Sequence, residues 1–406
     1  MASRYRTLDR DQLAVLVPEL LLCGQLIDRS GMAWCIGSLG REAMAQVAVE
    51  EWAAASPIYT RRMQRALRFE GIDVVTIFKG LQLDIGAPPQ FMDFRYTVHD
   101  RWHGEFSLSH CGALMDVEPL GEAYVRSMCH DIEDPTFDAT AAATNPRARI
   151  RPIHRPPRTP ADRHPHCAWT VTIEESWPPA VLSEGCRELQ GSRAATVPLD
   201  PIDPHEAGLP DYSGPLLSDL DFTAFSRSAL VRIADEVVLQ MQLLSLGFVR
   251  ALRRRLPQRE VERVATKQLV GIAGVAGERL HRALGLPTSA SGALRLLELH
   301  PLLNPAGYVE VSTLDGQLSV RPSPAHQDDG WLWRCGPAST APLQAIVRSV
   351  DPRLDVEVAG APNRWSLRVV EGGSATPECD EVAVTRLSTG SRFTFEKRTG
   401  LPIVAI

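Results

Sequence analysis

Three short elements pair cysteine with histidine: His110-Cys111, Cys129-His130 and His166-Cys167. Thiolate and imidazole are the preferred ligands of zinc and also suit iron. The same two groups beside a carboxylate also suit nucleophilic catalysis. A divalent metal would draw on Cys111, Cys129, His130, His166 and Cys167. A metal-free enzyme would use Cys111 as nucleophile, with His130 and Asp131 assisting, because Asp131 directly follows Cys129-His130 and can orient an imidazole or act as a base. A third reading makes the cysteines small buried hydrophobes. Spacing does not decide among the three, since neither a paired C-x-x-C nor H-E-x-x-H occurs. A second cluster runs from Arg147 to Arg163, a segment with six arginines and no acid until Asp162. Arginine forks grip carboxylates and phosphates, so Arg151, Arg155 and Arg158 are candidates for an anionic substrate.

These residues must be carried by a chain of 406 residues, enough for two or three domains. Hydrophobic residues at 44% and charged residues at 23% match a soluble globular protein with a sizeable core. A net charge of -6 argues against nucleic acid as the main partner. The polar start and the absence of a long apolar run argue against an export signal or a membrane span. Eight scattered cysteines with no export signal are expected to be reduced thiols. The expected location is the cytoplasm. The expected partners are a small, anionic substrate and a second copy of the chain.

Helix formers dominate the start. One helix should run to a break at Ser30-Gly31, and a second should be interrupted at Pro57. Alternation over Phe91–Val98 and Trp102–Leu108 predicts a β-hairpin. Leu114–Met128 reads as a helix, and Arg149–Ile153 and Ala168–Ile173 as strands. Cys111 then stands between strand and helix, where a helix N-terminus lowers a thiol pKa. Residues 178–215 are rich in Pro, Asp, Ser and Gly and read as a linker.

The second half repeats the order of the first. Arg65-Ala-Leu67 is matched by Arg282-Ala-Leu284, Cys111-Gly112 by Cys335-Gly336, Val125-Arg-Ser-Met128 by Val347-Arg-Ser-Val350, and the strand at Trp169 by that at Trp365. Self-similarity in order marks repeated units. The expected fold is therefore α+β: two tandem related modules, each with N-terminal helices followed by a mainly antiparallel sheet with a packed helix. The modules span 1–177 and 216–406. On these matches the second copy carries Asp351-Pro352 for Cys129-His130 and Asn363-Arg364 for His166-Cys167. Its site would be lost while its fold persists.

Cys111, the segment Cys129-His-Asp131 and Cys167-Ala-Trp169 resemble the L-2-amino-thiazoline-4-carboxylic acid hydrolase family, related in pattern to 4-vinyl-reductase-like small-molecule-binding modules. The likeness covers about Gly40 to Ile173. It implies an α+β fold that binds a small molecule, with metal- or thiol-dependent hydrolysis of a C–N or C–S bond. A non-catalytic small-molecule-binding protein and an assembly subunit with structural cysteines are the competing readings.

Overall fold

The computed structural model describes residues 2–386 and 398–405. The first module opens with two long helices, α1 (Arg10–Leu39) and α2 (Arg41–Ala66), and a short α3 (Val74–Leu81). The hairpin follows as β1 (Met92–Val98) and β2 (His103–Cys111). Then come α4 (Gly112–Val117), α5 (Glu122–Arg126), a π-helical turn (Ser127–Ile132) and α6 (Glu133–Ala142). Strands β3 (Ala148–His154) and β4 (Cys167–Ile173) complete the sheet. Short α7 (Glu184–Gln190) and α8 (Arg193–Thr196) lead to the second module. That module contains α9 (Arg227–Arg253), α10 (Gln258–Ala283), α11 (Ala290–Leu299), β5 (Val311–Leu314) and β6 (Gln317–Val320). It continues through α12 (Pro324–Gln327), α13 (Ala341–Arg348), β7 (Leu354–Ala361), β8 (Arg364–Glu371) and α14 (Asp380–Arg386).

The fold is α+β, as expected. Both sheets are antiparallel, and their strand orders correspond: β1-β2-β4-β3 and β5-β6-β8-β7. The helices repeat without a gap. α1 begins at residue 10 and α9 at 227; α2 spans 41–66 and α10 258–283, the same offset in both pairs.

Two local expectations fail for identifiable reasons. Ser30-Gly31 does not end α1, because the missing Cβ of Gly31 is what lets Gln268 and Phe248 pack there: a Cβ would lie 2.6 Å from the Gln268 amide. Pro57 does not interrupt α2. Proline removes the N–H that would bond Ala53 four residues earlier, and the freed Ala53 carbonyl instead accepts from Ser183 Oγ at 3.2 Å. Ser183 lies in the stretch expected to be a linker. That stretch folds onto α2 through α7, burying Cys186, Leu189 and Ala194.

The two modules share a core. α1 packs along α10 and α9 along α2, so each module's first helix lies on the other's second. At the α2–α9 contact, Arg62 and Glu236 form a buried two-pronged pair at 2.8 and 3.2 Å. Arg62 also donates to the carbonyls of Ala195 and Val197, which satisfies the rest of the fork.

Two sequence matches are displaced. α6 ends at Ala142 with β3 starting at Ala148, and α13 ends at Arg348 with β7 starting at Leu354. Val347 of Val347-Arg-Ser-Val350 therefore takes the place of Ala141 near the end of α6, not of Val125. By the same count Asp351-Pro352 takes the place of Asn145-Pro146, not of Cys129-His130. The local chemistry agrees: Asn145 Oδ1 accepts from the Arg147 N–H and Asp351 Oδ1 from the Arg353 N–H, each at 2.9 Å. The segment carrying Cys129-His130 is extra chain in the first module.

Candidate functional site

The inner face of the first sheet and the helices above it enclose a cavity of about 140 Å³. Its apolar walls come from Phe94, Leu108 and Trp169 on the sheet, Met128 in the π turn and Phe137 on α6. Cys167 also lines it. An engineered apolar cavity of ~150 Å³ accepts benzene, so this volume suits one ring or a short branched chain.

Strand geometry decides which sequence candidates reach this space. Successive residues of a strand face opposite sides. Cys167 pairs with Leu108, an inward position. Between Phe94–Leu108 and Met92–Cys111 the register shifts by one residue, and this bulge returns Cys111 to the inner side. Cys111, Cys129 and Cys167 are buried in one cluster with Trp169. Their neighbours His110 and His166 do not line the cavity. They gather with each other, ring centroids 6.5 Å apart, and His164 lies 5.1 Å from His166. His130 turns to the Pro-rich loop, its Nε2 lying 2.7 Å from the Pro156 carbonyl. The five expected metal ligands are thus divided between thiols facing inward and imidazoles elsewhere. Among the described residues no group of three or more His, Cys, Asp or Glu is arranged to hold a metal ion.

The thiols are not activated. Leu114 N–H approaches Cys111 Sγ at 3.4 Å from the start of α4, as a helix N-terminus should. Burial outweighs it and pushes the Cys111 thiol up to about 12. Burial also raises Cys129 and Cys167, with Glu133 and the neighbouring cysteines adding to the rise. The three sulfurs and Glu133 therefore lie close enough to repel as anions. Burial and the nearby Arg158 and histidines bring His166 down to about 4. It is a neutral imidazole at physiological pH.

Asp131 does not join the cysteines. It is exposed and borders a separate hollow with Glu42, Glu50 and Arg255, because the helical turn sends it towards α2. The arginines are already engaged. Arg151 pairs with Asp138 at 2.9 Å, Arg158 with Glu118 at 2.8 Å, and Arg155 with Asp134. None of the three lines the cavity.

The polar wall comes instead from carboxyl groups other than Asp131. Asp28, Asp84 and Glu133 all line the cavity. Trp52 Nε1 donates to Asp28 Oδ1 at 2.9 Å. Tyr59 Oη donates to Asp84 Oδ1 at 2.9 Å, and the Gly86 N–H donates to the same oxygen at 2.7 Å. Burial raises Asp84 to about 6 despite these two donors. Burial raises Glu133 to about 8, against the pull of Arg155. Behind Asp28, the fully buried Glu51 is raised well above its ordinary value, first by burial and then by Asp28 itself.

The helix offset holds the signal that could have found them. In the second module Asp28, Glu51, Trp52 and Tyr59 become Ser245, Gln268, Leu269 and Ala276. Measured back from the ends of α6 and α13, Thr140 becomes Ile346, which is fully buried in the core with Leu318 and Leu367. Where the first module keeps Asp28 and Glu51 the second has the neutral Ser245 and Gln268, and apolar side chains stand at Leu269, Ala276 and Ile346. A larger hollow of about 550 Å³ lies between α10, α13 and α14, but its charged lining is spent on ion pairs such as Lys267–Glu381 and Arg386–Glu278.

No family model, curated protein or solved structure matches this chain. No helix among the described residues is long and apolar enough to cross a membrane.

Proposed function

We propose that the protein holds a small molecule in the cavity of its first module, acting in the cytoplasm, with the second module as scaffold. The observation that carries this reading is the asymmetry between two modules of one fold. Three carboxyl groups and an aromatic wall surround a space in the first, while the second carries neutral residues at the matching helix positions, with Ile346 buried in the core. Pockets of this kind, mostly apolar with a few placed polar groups, are the usual form of small-molecule sites. The resemblance to small-molecule-binding modules supports the same reading. Native mass spectrometry of the purified full chain tests it. A low-mass species should co-purify with the wild type and be lost when Ala113, on the cavity wall, is enlarged by Ala113→Leu. An unchanged adduct in a folded Ala113→Leu protein refutes the assignment.

A second reading keeps hydrolysis of a C–N or C–S bond, and one observation favours it. Glu133 near 8 and Asp84 near 6 give a protonated and an ionised carboxyl on one cavity, the pairing used for general acid–base work. Such an enzyme would show a bell-shaped rate profile with limbs near those two values. A rate that falls neither below pH 6 nor above pH 8 would exclude the pair. Thiol attack is less well supported, since a group held near 12 is not a thiolate at neutral pH.

A further inference from the structure

The cavity's polar lining has one sign. Asp28, Asp84 and Glu133 are its carboxyl groups, and no lysine, arginine or histidine among the described residues lines it. Asp84 is 4% exposed. Both of its hydrogen bonds end on Oδ1, and Oδ2 accepts none from the described residues. Asp84 lines the cavity, so this oxygen is left open to a donor from the space it borders. Trp52 joins the acids. Its indole N–H holds Asp28, while Gly86, which bonds Asp84, sits over the other end of the same ring, where a Cβ would lie 3.3 Å from Cζ3. The two aspartates therefore flank one indole.

On the reading of this cavity as a ligand site, we propose that its ligand is a compact organic cation: an amine on an aromatic or alkyl body, whose ammonium group is held by Asp84 beside Asp28 and the Trp52 ring. The ammonium supplies the donor that Asp84 Oδ2 lacks, and the Asp28 carboxyl and Trp52 ring on the same wall favour a cation further. The apolar body lies against Phe94, Phe137 and Trp169. A hard metal ion fits less well. It would need six or more oxygen ligands, and most of this wall is hydrocarbon. An anion would meet three acids and no base.

Three near-isosteric probes separate the possibilities: benzylamine, benzyl alcohol and benzoate, titrated into the full chain near pH 7.5. Tryptophan fluorescence is the readout, since Trp52 and Trp169 line the cavity. Benzylamine should bind at least about tenfold more tightly than benzyl alcohol, the value of one charge-assisted hydrogen bond, and benzoate should not bind. Asp84→Asn should remove that advantage, bringing the amine and alcohol affinities together. Asparagine keeps an oxygen for Tyr59 and Gly86, so the fold should survive. Asp28→Asn offers the same test if it does not. Equal binding of amine and alcohol, or an amine affinity untouched by both substitutions, overturns the cation assignment and leaves the cavity reading standing. Failure of all three probes to bind overturns both.

Discussion

Asp84 offers a direct test of how the first module is built. Its carboxyl is raised from 3.8 to about 6 by burial. The folded chain therefore binds this proton more tightly than the unfolded chain does. At acidic pH, below the unfolded value, the group costs the fold no ionisation penalty. As pH rises towards and through 6, stability falls, because ionisation is easier once the chain unfolds. One pKa unit corresponds to ~1.36 kcal/mol, so the full penalty by pH 7.5 is about 3 kcal/mol. Asp84→Asn should remove it. Asparagine Oδ1 can still accept from Tyr59 and Gly86, as Asp84 Oδ1 does now. Urea denaturation of both proteins at pH 4 and pH 7.5 isolates the effect, because Glu133 and Asp235 titrate in both and cancel in the difference. The variant should match the wild type within about 1 kcal/mol at pH 4 and exceed it by up to about 3 kcal/mol at pH 7.5. A variant no more stable than the wild type at pH 7.5 would show that Asp84 is not a desolvated carboxylate, and the polar wall would lose its central member.

Glu236→Gln should cost about 3–5 kcal/mol in urea denaturation, since it leaves Arg62 buried beside a neutral partner; a loss under ~1 kcal/mol would mean that solvent reaches the pair. Gly247→Ala places a Cβ 3.0 Å from the Glu51 carbonyl oxygen, and it should destabilise the α2–α9 contact by about 1–3 kcal/mol, measured the same way. A thiol reagent at pH 8 should modify Cys379 rapidly in the native chain and the other cysteines only after denaturation, because Cys379 is exposed and the other seven are buried. Rapid labelling of Cys111, Cys129 or Cys167 would restore the nucleophile reading.

Much of the fold was legible because it depends on periodicities that sequence displays. Alternation located the hairpin at β1 and β2, and the ordered matches between halves pointed to two modules of one topology, now seen in the shared strand order. Helix continuity was not legible at Gly31 and Pro57, because in both places a partner distant in sequence supplies what the local residue lacks. The site was misjudged for a related reason. Adjacent Cys and His look like one constellation in a string of letters, yet the strand pleat sends neighbours to opposite faces. Asp28 and Glu51 were passed over because an acid in a helix such as α2 ordinarily faces water.

The same comparison that hid the site also explains its position. α9 lies along α2 and α10 along α1, so the helices that carry Asp28, Glu51, Trp52 and Tyr59 are braced mainly by the other module. Glu51 is fully buried close to Gly247 of α9, and Gln268 of α10 donates to the Ile27 carbonyl, one residue before Asp28. A buried acid destabilises the element that bears it; α2 bears the fully buried Glu51, and α1 bears the half-buried Asp28 beside it. The second module bears no such cost at the matching positions, where it has serine, glutamine, leucine and alanine. One copy can then keep costly polar groups around a cavity because the other copy, neutral at the matching positions, braces the helices that carry them. That division accounts for both the repeat of the fold and the failure of the site to repeat with it.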